Sequence, residues 1–350
     1  MWTTRQLPGF NQRSGCFIAK TRLYLIVSID TIMKPPYTIS PLMLRLVASI
    51  SEKLGIIKAG FFEKPAPQLR KQNKIKTIHA SLKIEGNTLT EDQVTAIIED
   101  KRVLGPAKDI LEVINAKNVY DNLQMFDPVS SQSFLSAHRM MMEGLIDKPG
   151  RYRTEQVGIA QGSKVSHLAP PPGNVHYLME DLFSYLKHEE ELTLIKSCVF
   201  HYELEFIHPF VDGNGRMGRL WQSVILTKEN PVFENLPFET LINQTQREYY
   251  EALSQSDKMG KSDVFIEYML RVIDESLVEL MQNKTKPLSP EGRLDYFIST
   301  DVAFFTRKDY QRVFKNISAA TASRDLKQGI EMGLLEKSGE KNQTIYRVKH

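Results

Sequence analysis

Apolar residues recur along most of this chain at spacings of three and four, the period of an amphipathic helix. Leu42, Leu46, Ile50 and Leu54 mark such a helix over 40–56. Beyond Pro65 and Pro67 the pattern resumes over 69–84 and stops at Gly86, where glycine can take the left-handed conformation that follows a helix. Thr90, with Glu91 and Asp92 behind it, predicts the next helix start. Further helices are expected over 109–126 and 130–145, closed by Pro149-Gly150. Residues 192–206 put Leu192, Ile195, Val199, Tyr202 and Phe206 on one face, and the helical texture continues to about residue 283.

Two stretches break that texture. Residues 156–160 and 164–168 are short and flank Gln161-Gly162-Ser163, which predicts a β-hairpin, and Pro170-Pro171-Pro172-Gly173 closes it. A lone hairpin needs support from its neighbours. Standing by itself in a helical domain, it suits a substrate clamp. The flap positions are Val157, Ile159, Val165 and Leu168. Past a polar linker at 284–290, helix starts at Thr306 and Ser318 precede strand-like segments at 335–337 and 344–348. Helix, turn, helix and hairpin resemble a winged helix-turn-helix.

The expected architecture is therefore mainly α: a helical bundle with a β-hairpin flap and a small C-terminal winged helix-turn-helix. Its parts are a leader over 1–33, an N-terminal helical region over 34–105, a core over 106–284 and the winged unit over 285–350. The leader is polar and irregular, then briefly apolar at 23–29 behind Lys20 and Arg22. No small-residue cleavage site follows, and Met33-Lys34-Pro35-Pro36 would also make a sensible beginning, so an export signal is disfavoured.

Composition changes little. With 350 residues, 41% apolar and 25% charged, the chain is ordinary for a globular protein. A net charge of +3 is too small to make nucleic acid or membrane the main partner. No stretch reaches the ~20 apolar residues that span a bilayer. Two cysteines, Cys16 and Cys198, form no disulfide framework, so a reducing cytoplasm is expected, with Cys198 a small core residue.

The chemistry concentrates in Ile207-His208-Pro209-Phe210-Val211-Asp212-Gly213-Asn214-Gly215-Arg216-Met217-Gly218-Arg219. Gly213-Asn214-Gly215 ahead of a helix starting near Arg216 makes an anion cradle, because the turn points backbone N–H groups inward and the helix end adds positive partial charge. Arg216 and Arg219 lie on one helix face and can fork onto adjacent phosphates. Asp212 can hold Mg²⁺ at the mouth. His208 can take a proton from a hydroxyl at neutral pH. Phe210 reads as an apolar anchor. Each residue alone has an ordinary structural reading; their gathering in one segment makes the case.

That segment resembles the signature of the Fic family, H-P-F-x-[DE]-G-N-G-R-x-x-R, at all nine specified positions. Average residue frequencies give such a match by chance on the order of once in 10^9 chains. The resemblance implies a Fic helical bundle and a protein adenylyltransferase: the histidine deprotonates a Ser, Thr or Tyr hydroxyl of a target protein, which attacks the α-phosphate of ATP. By that resemblance His208 is the base, Asp212 the Mg²⁺ ligand, and Gly213, Asn214, Gly215 and Arg216 hold the α- and β-phosphates. Arg219 then holds the γ-phosphate. Glu205, Phe206 and Ile207 also look family-like, and Gly150-Arg151-Tyr152-Arg153 resembles the segment ahead of the flap. Tyr249 and Tyr250 resemble residues near the adenine pocket, with helix packing as their other reading. Asp257 stands where members often carry Asn, which leaves base selectivity open, and UTP or a phosphocholine nucleotide stands as a rival donor.

Ser81-Leu82-Lys83-Ile84-Glu85-Gly86 matches the family's inhibitory pattern [ST]-x-x-x-E-[GN]. The pattern is loose, arising in roughly one chain of this length in five, but it falls at a helix end upstream of the core. This resembles the class with an N-terminal inhibitory helix. Glu85 would pair with Arg219 and deny it to the γ-phosphate, and the same carboxylate could position a water for removing AMP. The target could be the chain itself, and a homodimer fits the family. A winged-helix regulator that only senses nucleotide is the competing class, disfavoured by the intact His208. In the C-terminal unit, Arg324, Lys327, Lys337 and Lys341 suggest DNA, but Asp325, Glu331, Glu336 and Glu340 intersperse them and favour a protein contact.

Overall fold

The computed structural model describes residues 2–6, 34–59, 67–161, 164–285, 289–298, 302–314, 317–339 and 344–349. The apolar run at 23–29, Cys16, Met33 and the turn at Gly162-Ser163 lie outside them, as does most of the 339–342 connection. The fold is mainly helical with small antiparallel sheets. Chain contacts divide it into two compact units, residues 1–56 with 74–278, and residues 57–73 with 279–350.

The larger unit takes in strand β1 (Trp2–Gln6), helix α1 (Pro41–Ala59) up to residue 56, helix α2 (Pro67–Ile84) from residue 74, and α3 (Glu91–Ile98). Thr90 caps α3 with a capping box: its hydroxyl accepts from Gln93 N–H while the Gln93 side chain returns to the Thr90 N–H. Gly86, at φ 96°, turns the chain out of α2. Helices α4 (Ala107–Asp121) and α5 (Ser131–Met142) follow, the latter capped by Ser130. Strands β2 (Val157–Gln161) and β3 (Lys164–Leu168) form the expected hairpin. Beyond them come α6 (Pro172–His188), α7 (Thr193–Ile207), α8 (Asn214–Glu229), α9 (Phe238–Gln244), α10 (Gln246–Met259) and α11 (Asp263–Thr285).

Two sequence expectations fail here. The hairpin does not stand alone: β1, read as part of an irregular leader, pairs antiparallel with β2 from Trp2 opposite Gln161 to Gln6 opposite Val157. The sheet order is β1-β2-β3. Helix α7 does not present one apolar face. Phe200 and Leu204 are buried as fully as Ile195, Val199 and Tyr202, while Leu192 is exposed. A central helix is packed on every side, so its sequence need not be amphipathic. Next to it, Phe134, Phe183, Phe200, Phe210 and Trp221 form an aromatic core, with Phe134 edge-on to Trp221 at 5.0 Å. Phe210 is thus the anchor that holds the reactive loop to the core.

The smaller unit contains α12 (Pro290–Ile298), β4 (Phe304–Phe305), α13 (Arg307–Val313), α14 (Ala319–Glu331), β5 (Leu335–Ser338) and β6 (Ile345–Val348). Thr306 and Ser318 cap α13 and α14. The strands pair in the order β4-β6-β5. Leu294, Phe297, Phe305, Tyr310, Ala322, Leu326, Leu335 and Val348 make its core. Pro290, read as linker, opens α12 instead, a position where proline's missing N–H costs nothing. Among the described residues no helix is long and apolar enough to cross a membrane.

Candidate active site

The loop between α7 and α8 is built by two left-handed turns. His208 caps α7 at φ 50°, ψ 60°, and Gly213 caps the start of α8 at φ 89°. A left-handed conformation is uncommon for a residue with a side chain. It persists at His208 because the surrounding backbone is pinned. The buried Arg153 donates from Nε to the His208 carbonyl at 2.7 Å and from Nη2 to the Ile207 carbonyl at 3.2 Å. The same guanidinium reaches the carbonyls of Glu155 and Pro170 at either end of the hairpin, so it ties the flap to the end of α7. Burial away from water pulls the Arg153 pKa down to about 10.

The His208 Nδ1 lies 3.3 Å from the Glu205 carbonyl oxygen, which only a protonated nitrogen can use. In the neutral ring that leaves the lone pair on Nε2. Asn214 folds its side chain back on Phe210, accepting from its N–H and donating to its carbonyl, both at 2.9 Å. The amide closes the loop like a miniature strand pair. Helix α8 begins at Asn214, close to the expected start near Arg216, and its first-turn N–H groups have no partner within the helix.

His138 braces the far side of the loop. Its ring stacks on Phe210 at 3.5 Å, accepts from the Gly150 N–H at 2.8 Å and donates to the Asp212 carbonyl at 3.0 Å. Burial drives its pKa down to about 4, so it is neutral at physiological pH. Neither His138 nor the role of Arg153 was legible in the sequence; the only trace was the Gly150-to-Arg153 segment.

The arginines are already engaged. Arg219 is fully buried, and its Nη2 donates to Glu85 Oε1 at 2.7 Å and to the Ser81 carbonyl at 3.0 Å, while its Nε reaches Ser81 Oγ at 3.1 Å. Burial alone would lower its pKa, but the charge of Glu85 holds it above the ordinary value. The Glu85 carboxylate also lies against Gly215 in the first turn of α8, where any side chain at 215 would collide with it. Arg216 pairs with Glu112 at 3.1 Å and Asp212 at 3.0 Å. Its buried Nε has no hydrogen-bond partner among the described residues. Asp212 Oδ1 also takes the Gly213 N–H at 2.6 Å. No group of three or more His, Cys, Asp or Glu that could hold a metal occurs among the described residues. A single carboxylate still suits Mg²⁺, which keeps substrate oxygens and waters as its other ligands.

Tyr249 is buried, and its hydroxyl points to His201 Nε2 at 3.1 Å; His201 in turn donates from Nδ1 to Gln222 at 2.7 Å. This is the packing reading of that tyrosine. Tyr250 is half-buried, and burial together with the charge of Glu85 pushes its hydroxyl pKa up. Gln246, on the same helix, donates to the Ile84 carbonyl at 3.0 Å, next to Glu85. Asp257 accepts from the Tyr202 hydroxyl at 2.9 Å. In the flap Val157 is buried, whereas the side chains of Ile159, Val165 and Leu168 lie outside the described residues.

Residues 128–226 match the Fic/DOC family. Among solved structures, a Fic family protein from Desulfovibrio desulfuricans G20 is 37% identical with a TM-score of 0.70, over 91% of this chain and 98% of that one. Among curated proteins, "Protein adenylyltransferase Fic" of Nematostella vectensis is 29% identical over 255 residues, 69% of this chain. "Protein adenylyltransferase fic-1" of Caenorhabditis elegans is 31% identical over 216 residues, 57% of this chain. The chain spans about half the length of these curated relatives, 56% of the first and 40% of the second.

Proposed function

The chain belongs to the Fic/DOC family, and from that premise we propose that it is a protein adenylyltransferase restrained by its own α2. His208 Nε2 takes the proton of a target Ser, Thr or Tyr hydroxyl. The oxygen attacks the α-phosphorus of ATP, the bond to the pyrophosphate oxygen breaks, and AMP stays on the target while pyrophosphate leaves. The N–H groups at the start of α8 face the α- and β-phosphates, and the unpartnered Nε–H of Arg216 suits an acceptor of that kind. Asp212 would hold Mg²⁺, which neutralises phosphate charge. The flap would present the target backbone.

One observation carries the reading. The guanidinium of Arg219, which a γ-phosphate needs, is held by Glu85 and Ser81, and the Glu85 carboxylate sits on the turn where phosphate would sit. This supports the inhibitory class with an N-terminal helix. With labelled ATP, Glu85→Gly is expected to raise AMP transfer, and His208→Ala in that background to reduce it by about 10²–10⁴-fold. Equal labelling by wild type and Glu85→Gly removes the brake. ATP binding without transfer of any nucleotide leaves a sensor, and labelling by UTP in place of ATP reassigns the donor. The two cysteines without a disulfide framework support a reducing, cytoplasmic setting.

For the smaller unit the reading is a winged helix-turn-helix that contacts protein. Arg324 and Lys327 are exposed on α14, but Glu331 lies 3.6 Å from Lys327 and Glu336 lies 3.1 Å from Lys349. Asp325, counted from sequence among the surface acids, is buried. A gel-shift series over salt tests this: a steep loss of duplex binding with salt would make DNA the partner.

A further inference from the structure

Glu112, on α4, is buried beside the loop and stands outside the family signature. One carboxylate oxygen accepts from Arg216 Nη1 at 3.1 Å. The other accepts from Asn87 Nδ2 at 2.8 Å. Asn87 is the residue after Gly86, where the chain leaves α2, and its N–H closes that turn on the Leu82 carbonyl at 3.1 Å. Its amide also donates to the Asp109 carbonyl at 3.0 Å, and the Thr88 N–H and hydroxyl both reach the Asp109 carboxylate. The exit of α2 is therefore fastened to the first turns of α4, and Arg216 is fastened to the same helix through the same side chain.

Both partners of Glu112 are donors. A carboxylate offers two acceptor oxygens and meets both; a glutamine must turn its NH₂ toward one of them. A buried carboxylate that loses its cationic partner is costly, so a shift of Arg216 is felt at Glu112 and at the Asn87 that it holds. We infer that Glu112 is a positioning residue shared by the anion loop and the brake: it aims Arg216 and latches the turn after α2 that carries Glu85. The inference rests on the adenylyltransferase reading for its consequence in transfer, but not for its consequence in nucleotide binding.

The test is calorimetric titration of ATP into variants that carry Glu85→Gly, so that the brake does not mask the site. Adding Glu112→Gln is expected to weaken ATP binding about tenfold, the scale of one charge-assisted hydrogen bond. Adding Asn87→Ala instead should leave the Kd within about twofold, because Arg216 keeps its carboxylate. In chains that retain Glu85, Asn87→Ala should raise basal AMP transfer at least about fivefold, the lower end of an ordinary coupling energy. Glu112→Asp keeps two acceptors on a shorter stem and should fall between wild type and Glu112→Gln in Kd; it decides the matter should Glu112→Gln not fold. An unchanged Kd on adding Glu112→Gln, or equal weakening by Asn87→Ala and Glu112→Gln, would overturn the assignment. ATP binding with no AMP transfer by any variant would instead remove the proposed activity, and the Kd comparison would still decide Glu112.

Discussion

Each unit buries an arginine against a carboxylate, and the two pairs are made differently. In the smaller unit Arg293 meets Asp325 with two parallel hydrogen bonds of 2.7 and 2.9 Å, and the Tyr310 hydroxyl adds a third donor to the acid. Both side chains are nearly sealed, at 9% and 1% exposure. In the larger unit Arg219 is sealed at 1%, but Glu85 is 25% exposed and offers one oxygen to it. The rest of the Arg219 fork goes to Ser81. A doubly bonded, enclosed pair has no competitor and serves the fold. A singly bonded pair with one partner at the surface can exchange its carboxylate for another anion. Geometry, more than the residue types, separates an enclosed ion pair from one open to an incoming anion.

The largest expected effect is on the enclosed pair. Asp325→Ala takes the buried carboxylate from both Arg293 and Tyr310 and should cost about 3–5 kcal/mol in denaturant melts of the full chain. Added phosphate or ATP should restore none of it; restoration would mean that this pair also exchanges anions.

Acid should separate the units next. The larger unit holds His138 with its pKa lowered to about 4 and His201 with its pKa lowered to about 3, both chiefly by burial. The only histidine of the smaller unit's two segments is His350. A histidine kept neutral in the fold binds its proton first in the unfolded chain, so its contribution is intact above pH 6.5 and is lost as pH falls through the folded pKa. For His138 this amounts to about 3 kcal/mol between pH 6.5 and 4, at about 1.4 kcal/mol per unit. His138→Gln should remove that share of the limb of the stability-pH curve and leave the share of His201, and an unchanged limb would contradict the neutral brace.

The Arg219–Glu85 pair gives the third test. Glu85→Gly should let ATP at about 100 times its Kd raise stability by about 2.7 kcal/mol, with a smaller gain in wild type, where Glu85 competes. Equal thermal shifts would show that Glu85 does not compete with phosphate. The smallest effect belongs to Tyr249, whose buried bond to His201 resembles the Arg293 pair in being enclosed. Tyr249→Phe should cost about 1 kcal/mol and leave ATP affinity alone. A loss of affinity without loss of stability would return that hydroxyl to the nucleotide.

The chain's order of residues was enough for whatever depends on near neighbours. The helical period, the caps at Thr90, Ser130, Thr306 and Ser318, the turn at Gly86 and the loop from His208 to Arg219 all arise from groups within a few positions of one another. Their physics is local hydrogen bonding and the 3.6-residue repeat. The tertiary structure alone decided which polar groups would be enclosed together. Glu112 meets Arg216 across 104 positions, His138 meets Asp212 across 74, and Arg153 meets His208 across 55. Charged and polar side chains read as surface until the fold removes water from around them, and only then must each find a partner. The same reason explains why α7 misled: a helix enclosed on all sides carries no face for a periodicity to reveal. It explains Asp325 too, a surface acid by pattern and a buried partner of Arg293 by packing.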